Sequence, residues 1–456
     1  MTNRRDFIKK SALGTAGIAI GGMGFSARSY GSIQGANDRI NIAVIGIRGQ
    51  GGTHINSWIA LKDNRNVRLK TICDVDEQYY AEKSKIISDA TGQKPVTEWD
   101  MRKVFDDKDI HAVSFAIPNH WHALGTIWAC QAGKHVYVEK PACHNIFEGR
   151  KMVEASRKYN VRVQTGCQNR SIANVMEAIK FIHEGGIGDI FMAKGLCYKP
   201  RDSFGIAKDS TPPASLHYDQ WRGPAPMRPY NEKRVHYNWH WFWETGNGDT
   251  GNQGPHQFDI ARWGLNKHEH PVSVFSMGGL YGINPAECEQ ETPNTQTSLF
   301  KYSDGKMLEF ETRGRYTNGE SSLAIKIGNI FYGTEGYVEI DGDTWKAFRK
   351  REKEPFEGSA TSANKPADTA YLAAPGGADH YANFLDAIRS GKNESLHCDI
   401  SEGFLSSSLP ILANISYRLG RELRFDGSKE KFVSDSEADK MLSREYRKPF
   451  VIGNEI

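Results

Sequence analysis

After residue 31 the 456-residue sequence lacks any apolar run of the ~20 residues that a membrane span needs. It also lacks paired cysteine spacing: the seven cysteines are odd in number, with no C-x-x-C and no zinc-like pattern. They read as isolated thiols, which excludes a disulfide framework. His120-x-His122 closes a strand-end motif and His268-x-His270 sits in a polar turn, and no set of His and carboxylates converges at ligand spacing, so no metal is expected. Excess charge is missing as well. The formal charge is +3, but residues 1–31 carry five positives (Arg4, Arg5, Lys9, Lys10, Arg28) against Asp6, which leaves −1 for the remainder. A near-neutral body has no global attraction for nucleic acid, so no nucleic-acid partner is expected. The chain has 21 Phe, 18 Tyr and 10 Trp, so most of it has the means to form cores, and its length suits two domains.

The positive charge is concentrated at the start. Asn3-Arg4-Arg5-Asp6-Phe7-Ile8-Lys9 resembles a twin-arginine export signal, followed by a weakly apolar stretch and small residues near Ser26-Ala27. An amphipathic surface helix is the alternative, but four Gly between Gly14 and Gly22 oppose it, at ~1 kcal/mol each. Residues 1–31 are expected to be a leader for a periplasmic or otherwise exported protein, with no membrane insertion once it is removed. Proteins on this route travel folded, so a bound cofactor is the next thing to seek.

Ile40–Ile45 is a short β-branched run, Gly46-Ile47-Arg48-Gly49-Gln50-Gly51-Gly52 follows, and Thr53–Leu61 has helical periodicity. Strand, glycine turn and helix form the setting of a dinucleotide fingerprint, with Gly46 and Gly51 as first and third glycines and Arg48 at the second. The glycines let backbone approach a pyrophosphate at a helix N-terminus. Val67–Cys73 reads as the next strand and ends at Asp74, an acid that suits two ribose hydroxyls and repels a 2′-phosphate. NAD is therefore expected over NADP. The competing role for Asp74 is a helix cap, shared with Asp76. Ile110–Ile117 ends in Pro118-Asn119-His120-Trp121-His122, and His135–Val138 ends in Glu139-Lys140-Pro141. Alternating strands and helices argue a parallel sheet, with ligands beyond the carboxyl ends of its strands. Asn119, His122, Glu139 and Lys140 fall there, as do Gln168 and Arg170 after the run Val161–Thr165.

The glycine turn, Pro-Asn-His-Trp-His and Glu-Lys-Pro together resemble the Gfo/Idh/MocA oxidoreductases. The resemblance covers nearly all of the chain after residue 31. It implies an α/β fold with a doubly wound Rossmann domain over 38–165. A second α/β domain with a large, mostly antiparallel sheet follows over 166–375, and helices over 376–456 pack back on both. It also implies that the second sheet assembles a homo-oligomer. The runs near 189–198, 272–281, 295–302, 306–313, 323–332 and 336–340 have strand character, and His380–Ile388 and Gly403–Gly420 have helical character.

The same resemblance places Lys140 beside the nicotinamide and the substrate. A lysine near a cationic ring has a lowered pKa and can take a hydroxyl proton as hydride leaves the same carbon. The family's Asp-x-x-x-His pair stands here as Asn252 and His256, at i, i+4 on one helix face. An amide cannot take a proton, so the base is Lys140 or His256, with Asp249 as a helper and Asp259 as a partner that orients His256. Trp239, Trp241 and Trp243 share one face of an extended chain and can stack on a sugar or pack in the core. His240, where exported relatives carry Arg, belongs with them. Asp219-Gln220-Trp221-Arg222-Gly223-Pro224 resembles a stretch that folds over the cofactor, within a proline-rich insertion from Tyr198 to Asn238.

The cofactor set is thus Gly46, Arg48, Gly49, Gln50, Gly51, Asp74, Pro118, Asn119, His122, Glu139, Gln168, Trp221 and Arg222. The substrate set is Arg170, Trp239, His240, Trp243 and Asp249. The expected function is oxidation of a sugar ring hydroxyl, C3 first among them, with NAD held tightly. The alternatives are an NAD-dependent glycosidase that oxidises C3 transiently, eliminates and re-reduces, and a non-catalytic sugar-binding protein.

Overall fold

The first six strands form one parallel sheet: β1 (Ile40–Ile45), β2 (Val67–Cys73), β3 (Val96–Glu98), β4 (Ala112–Phe115), β5 (His135–Val138) and β6 (Val163–Thr165). They lie in the order 3-2-1-4-5-6, so the winding reverses between β1 and β4, where open α/β sheets bind ligands. The structure is a computed structural model, and it describes residues 38–342, 344–359 and 376–456. The expected leader over residues 1–31 lies outside the described residues.

Both faces of the sheet's middle are covered, which is why β1, β4, β5 and β6 are buried almost throughout, whereas β2 alternates through Arg68 and Lys70. Ile42 and Val44 of β1 face Ile55 and Trp58 of helix α1 (Gln50–Ala60), while Ala43 and Ile45 join the core that contains Phe115 and Leu124 of α2 (Asn119–Gln131). Helix α3 (Ile146–Lys158) packs beside α2.

The second sheet has ten strands: β7 (Ile190–Cys197), β8 (Ser273–Gly279), β9 (Thr295–Lys301), β10 (Met307–Arg313), β11 (Ile327–Gly333), β12 (Gly336–Asp341), β13 (Thr344–Arg349), β14 (Glu357–Gly358), β15 (Leu423–Asp426) and β16 (Lys431–Phe432). Their order is 14-13-12-11-7-10-9-8-15-16, antiparallel except where β7 meets β10. The alternation Met-Leu-Glu-Phe-Glu-Thr-Arg in β10 buries Leu308, Phe310 and Thr312 on one face. Helices α4 (Gly248–Asn252) and α5 (Gly254–Gly264) lie there, with Phe258 against Phe300 and Phe310 at ring centroids 5.6 and 4.3 Å apart. The other face exposes Phe275, Met277, Leu299 and Met307.

Helix α6 (Gly376–Ser390) buries Tyr381 and Phe384 against Trp58 and Tyr137 of the first sheet's layer, and α7 (Ile400–Leu419) packs on α3, α5 and β8. The last segment is not purely helical as expected, because β15 and β16 extend the second sheet's edge. Such strands of two to four residues carry too little pattern to be read.

Candidate active site

The glycine turn is built as the fingerprint requires. Gly46 has φ +82°, and a Cβ there would meet the Ala116 carbonyl oxygen at 2.4 Å. A Cβ on Gly51 would sit 1.9 Å from the Gly46 carbonyl oxygen, so strand and helix touch backbone to backbone. Gly49 caps α1 at φ +51° with open space beside it, and the first turn of α1 holds no carboxylate. That cradle and that helix N-terminus fit a pyrophosphate. Arg48 is exposed and reaches over the Tyr79 ring at 5.8 Å.

Asp74 ends β2 with Oδ2 accepting from Ile47 N–H (2.8 Å) and Oδ1 from Asp76 N–H (2.9 Å). It therefore pins the glycine turn to the ribose end of the sheet. The cap role falls to Asp76, which accepts from Gln78 N–H. Burial pushes the Asp74 carboxyl up from its ordinary value, and the two backbone donors oppose it.

At the carboxyl end of β5, Glu139 is buried at the centre of a cluster. Its Oε1 accepts from Gln50 Nε2 (3.1 Å) and Gln168 Nε2 (2.9 Å) and lies 3.1 Å from His54 Nε2, while Oε2 accepts from Lys140 N–H at 3.2 Å. Burial alone raises its pKa. The His54 hydrogen bond and the charge of Lys140 override that and hold it at about 2. The Lys140–Pro141 peptide is cis. Lys140 Nζ donates to the backbone carbonyl of Asn252 at 2.9 Å. Desolvation lowers its pKa, with Lys199 and Arg201 adding to the shift and Glu139 opposing it.

His256 stands in the first turn of α5. Desolvation, aided by the charge of Lys140, pushes its pKa down to about 3, so the imidazole is neutral at neutral pH. Asn252 and His256 do not share one helix as expected. Asn252 ends α4 and His256 belongs to α5, and the two helices meet at Gln253, where Gly254 and Pro255 start the new helix. Lys140 Nζ nevertheless reaches the Asn252 carbonyl, and the charge of Lys140 acts on His256.

Other expected residues serve as supports. His122 has Nδ1 2.7 Å from the Pro141 carbonyl and Nε2 2.8 Å from that of Ile117, so it ties the Lys140-Pro141 turn to the end of β4. Pro118 caps α2, and Asn119 is buried in its first turn. Arg170, read as a sugar-binding group, is spent on an ion pair with Asp259 (2.7 and 2.9 Å) and on Glu402 (3.3 Å). Asp259, expected to orient His256, instead accepts from Arg170 and Ser406. Asp249, expected at the substrate, is buried and paired with Arg201 at 2.9 Å.

The tryptophans do not line one surface. Asn238–Trp241 is a 3-10 turn, which breaks the period of two. Trp241 is buried, Trp239 stacks on His240 at 3.6 Å, and Trp243 lies near Tyr417 and Arg418. His240 Nδ1 faces the Tyr237 carbonyl at 2.5 Å, and desolvation pushes its pKa down to about 3.

The insertion reaches back over the first sheet. Leu216 forms an antiparallel bridge with Asp76, His217 N–H donates to Val75 C=O (2.8 Å), and Glu77 N–H to Ser215 C=O (3.0 Å). His217 stacks on Trp99 at 4.2 Å, and His236 Nε2 meets Asp76 at 2.8 Å. In the turn Tyr218–Arg222, the Trp221 carbonyl faces His120 Nε2 at 2.9 Å and Arg222 pairs with Glu244 at 2.8 Å. The segment thus roofs the ribose end of the cleft.

Sequence reasoning missed His54, Ser114, Tyr137 and His236. Gln50 and His54 are i, i+4 on α1, so both facing one carboxylate was readable from spacing alone. His236 lies in the irregular insertion, and no pattern marks it.

A family model for the NAD-binding Rossmann fold of an oxidoreductase family matches residues 40–167. A second, for that family's C-terminal alpha/beta domain, matches 204–318 and 361–452. Levoglucosan dehydrogenase of Pseudarthrobacter phenanthrenivorans is 40% identical over 96 residues, which is 21% of this chain and 25% of that protein. A glycosyl hydrolase family 109 protein of Shewanella pealeana is 24% identical over 74% of this chain and 75% of its own. Among solved structures, levoglucosan dehydrogenase in complex with NADH and levoglucosan superposes with TM-score 0.64 at 19% identity, over 85% of this chain and 100% of that one. Aldose-aldose oxidoreductase from Caulobacter crescentus gives 0.62 at 18%, over 85% and 100%.

The fold and site define an oxidoreductase with an NAD-binding Rossmann domain and a C-terminal α/β domain. The chain belongs to the Gfo/Idh/MocA family.

Proposed function

We propose that this chain oxidises a ring hydroxyl of a sugar or glycoside with NAD, and that residues 1–31 direct its export by the twin-arginine route. What carries the chemistry is Lys140 at the carboxyl edge of the NAD-binding sheet, its Nζ on the Asn252 carbonyl and His256 on the adjoining helix. NAD, when bound, supplies the hydride acceptor. Gly46, Gly49 and Gly51 hold its pyrophosphate and Asp74 its ribose. Lys140 Nζ takes the hydroxyl proton, the Asn252 carbonyl aims that amine, and neutral His256 hydrogen-bonds the same substrate oxygen. The strap from Leu216 to His236 excludes water and retains the cofactor. The exposed Phe275, Met277, Leu299 and Met307 support a homo-oligomer formed through the second sheet.

The test is incubation of the purified protein with glycosides, levoglucosan among them, and an artificial electron acceptor. A keto sugar is the expected product; its absence across the panel, with NAD bound, rejects the reading. A second reading is net glycoside hydrolysis with NAD recycled, favoured by the likeness to the Shewanella glycosyl hydrolase over 74% of the chain. Release of free aglycone from a nitrophenyl glycoside without net NADH distinguishes it.

A further inference from the structure

Behind Glu139 lies a buried line of polar groups that the proposed reaction does not yet use. Ser114 Oγ is 2.7 Å from His54 Nδ1, and His54 Nε2 is 3.1 Å from Glu139 Oε1. Ser114 and His54 are wholly buried, and Glu139 is 6% exposed. The His54 ring is wedged edge-on against Tyr137 (5.3 Å) and Tyr381 (5.4 Å), so it cannot swing away. A purely structural histidine would more simply bond backbone. This one spans from the β4 hydroxyl to the carboxylate that adjoins Lys140.

We infer that Ser114, His54 and Glu139 form a hydrogen-bond relay that fixes an ionised carboxylate beside Lys140, so that His54 is a positioning residue for the proton transfer. It rests on the reading of Lys140 as the base. A neutral imidazole completes the relay with one polarity: the Ser114 hydroxyl donates to Nδ1, and Nε2–H donates to Glu139. The carboxylate then favours the ammonium that Lys140 becomes when it takes the substrate proton.

The other groups facing Glu139 are Gln50 from α1, Tyr137 from β5, Gln168 after β6, His256 from α5, and His380 and Tyr381 from α6. Those acting on Lys140 are Glu139, Cys167, Lys199, Arg201, His122, His240 and His256. Of all these, only His54 and Lys140 couple the carboxylate to a titratable side chain by direct hydrogen bonding or sequence adjacency. Without His54, burial is opposed by one donor fewer, and the Glu139 carboxyl binds its proton more readily. Lys140 then loses its nearest anion and releases its proton at lower pH.

The experiment compares the full chain with His54→Leu, His54→Gln and Ser114→Ala. NAD reduction with levoglucosan as probe is followed from pH 5 to 10, and folding by circular dichroism. In parallel, the Glu139 carboxyl is titrated by carbon-13 NMR, assigned through Glu139→Gln. His54→Leu should move the rising limb of the pH profile down by about one unit and cut the plateau rate about tenfold, the effect expected of losing one charge-assisted hydrogen bond. His54→Gln, which keeps a donor, should restore most of the loss. Ser114→Ala should shift the limb the same way by less. The NMR should show the Glu139 carboxyl titrating at higher pH in His54→Leu than in the wild type. A folded His54→Leu with an unmoved limb, or with an unmoved Glu139 titration, overturns the inference. If the wild type does not turn over levoglucosan, the proposed substrate fails, and the carboxyl titration alone still decides the relay.

Discussion

Replacing Glu139 by Gln should flatten part of the protein's acid unfolding, and the size of the effect follows from the cluster. The carboxyl is held at about 2 in the folded chain against an ordinary value of 4.5. A group with a depressed folded pKa binds fewer protons when folded than when unfolded. Its stabilisation is therefore complete above about pH 4.5 and is lost as pH falls through about 2. The full span of roughly 2.5 units corresponds to about 3 kcal/mol, and by pH 3.5 about 1 kcal/mol should already be gone. Glu139→Gln keeps the shape and can still accept from Gln50 or Gln168, but it has no proton to gain. Urea unfolding of both proteins at pH 7, 5, 4 and 3.5 reads the difference directly. The wild type should lose about 1 kcal/mol more than the variant between pH 7 and 3.5. Parallel stability curves would show that the carboxylate is not held by these donors, and the electrostatic account of the site would fall with it.

Lys140→Met should leave NADH binding within about twofold while lowering the rate of sugar oxidation by 10²–10⁴, roughly the worth of a general base; fluorescence titration and single-turnover absorbance separate the two. Gly51→Ala places a Cβ 1.9 Å from the Gly46 carbonyl oxygen, so NADH affinity should fall by at least about tenfold as strand and helix part. Asp74→Ser removes the acceptor of Ile47 and Asp76 N–H, so NADH should bind about tenfold more weakly and the preference over NADPH should shrink. If the second sheet forms an oligomer, Met277→Glu with Leu299→Lys on its exposed face should lower the mass seen by light scattering.

The middle of the first sheet was legible because its strands meet two independent demands, whereas Val96–Glu98 at its edge is short and exposed and was not read. Ile40–Ile45 must be apolar on both faces and must end where a glycine lets backbone reach a ligand, so hydropathy and turn chemistry coincide. Val67–Cys73, which alternates through Arg68 and Lys70, and His135–Val138 were legible because each ends in a charged residue, Asp74 and Glu139. The second sheet was legible where strands alternate, as in Met307–Arg313, and illegible at its rims. Glu357–Gly358 and Lys431–Phe432 join the sheet only because a neighbour offers an edge. The tryptophan segment misled for a related reason. Periodicity in Trp239-His240-Trp241-Phe242-Trp243 has meaning only once the backbone state is known, and a 3-10 turn closed by Phe242 N–H to Trp239 C=O sends each ring to a different neighbour. Arg170 and Asp249 were read as substrate groups, and the structure pairs them with Asp259 and Arg201. Sequence shows a charge at a strand end and does not show that Asp259 or Arg201 already consumes it.

Asn252 lies at the junction of α4 and α5, beside Lys140 Nζ. As a side chain it departs from the acid usual in the family, and an amide in place of a carboxylate would weaken any mechanism that needs a second base there. The contact to Lys140 comes from the Asn252 backbone carbonyl, and it arises because α4 ends at that residue and frees its carbonyl from helical pairing. Almost any residue at 252 could supply that oxygen, so the substitution leaves the aim of Lys140 intact. The proton account then closes without an acid at 252. His256, pushed to about 3, does not hold the abstracted proton at neutral pH, whereas Lys140, lowered only from its ordinary value of 10.5, can. An Asn252→Asp variant should accordingly change the rate less than Lys140→Met does. A gain approaching the loss caused by Lys140→Met would mean that the side chain, and not the helix end, is what this position contributes.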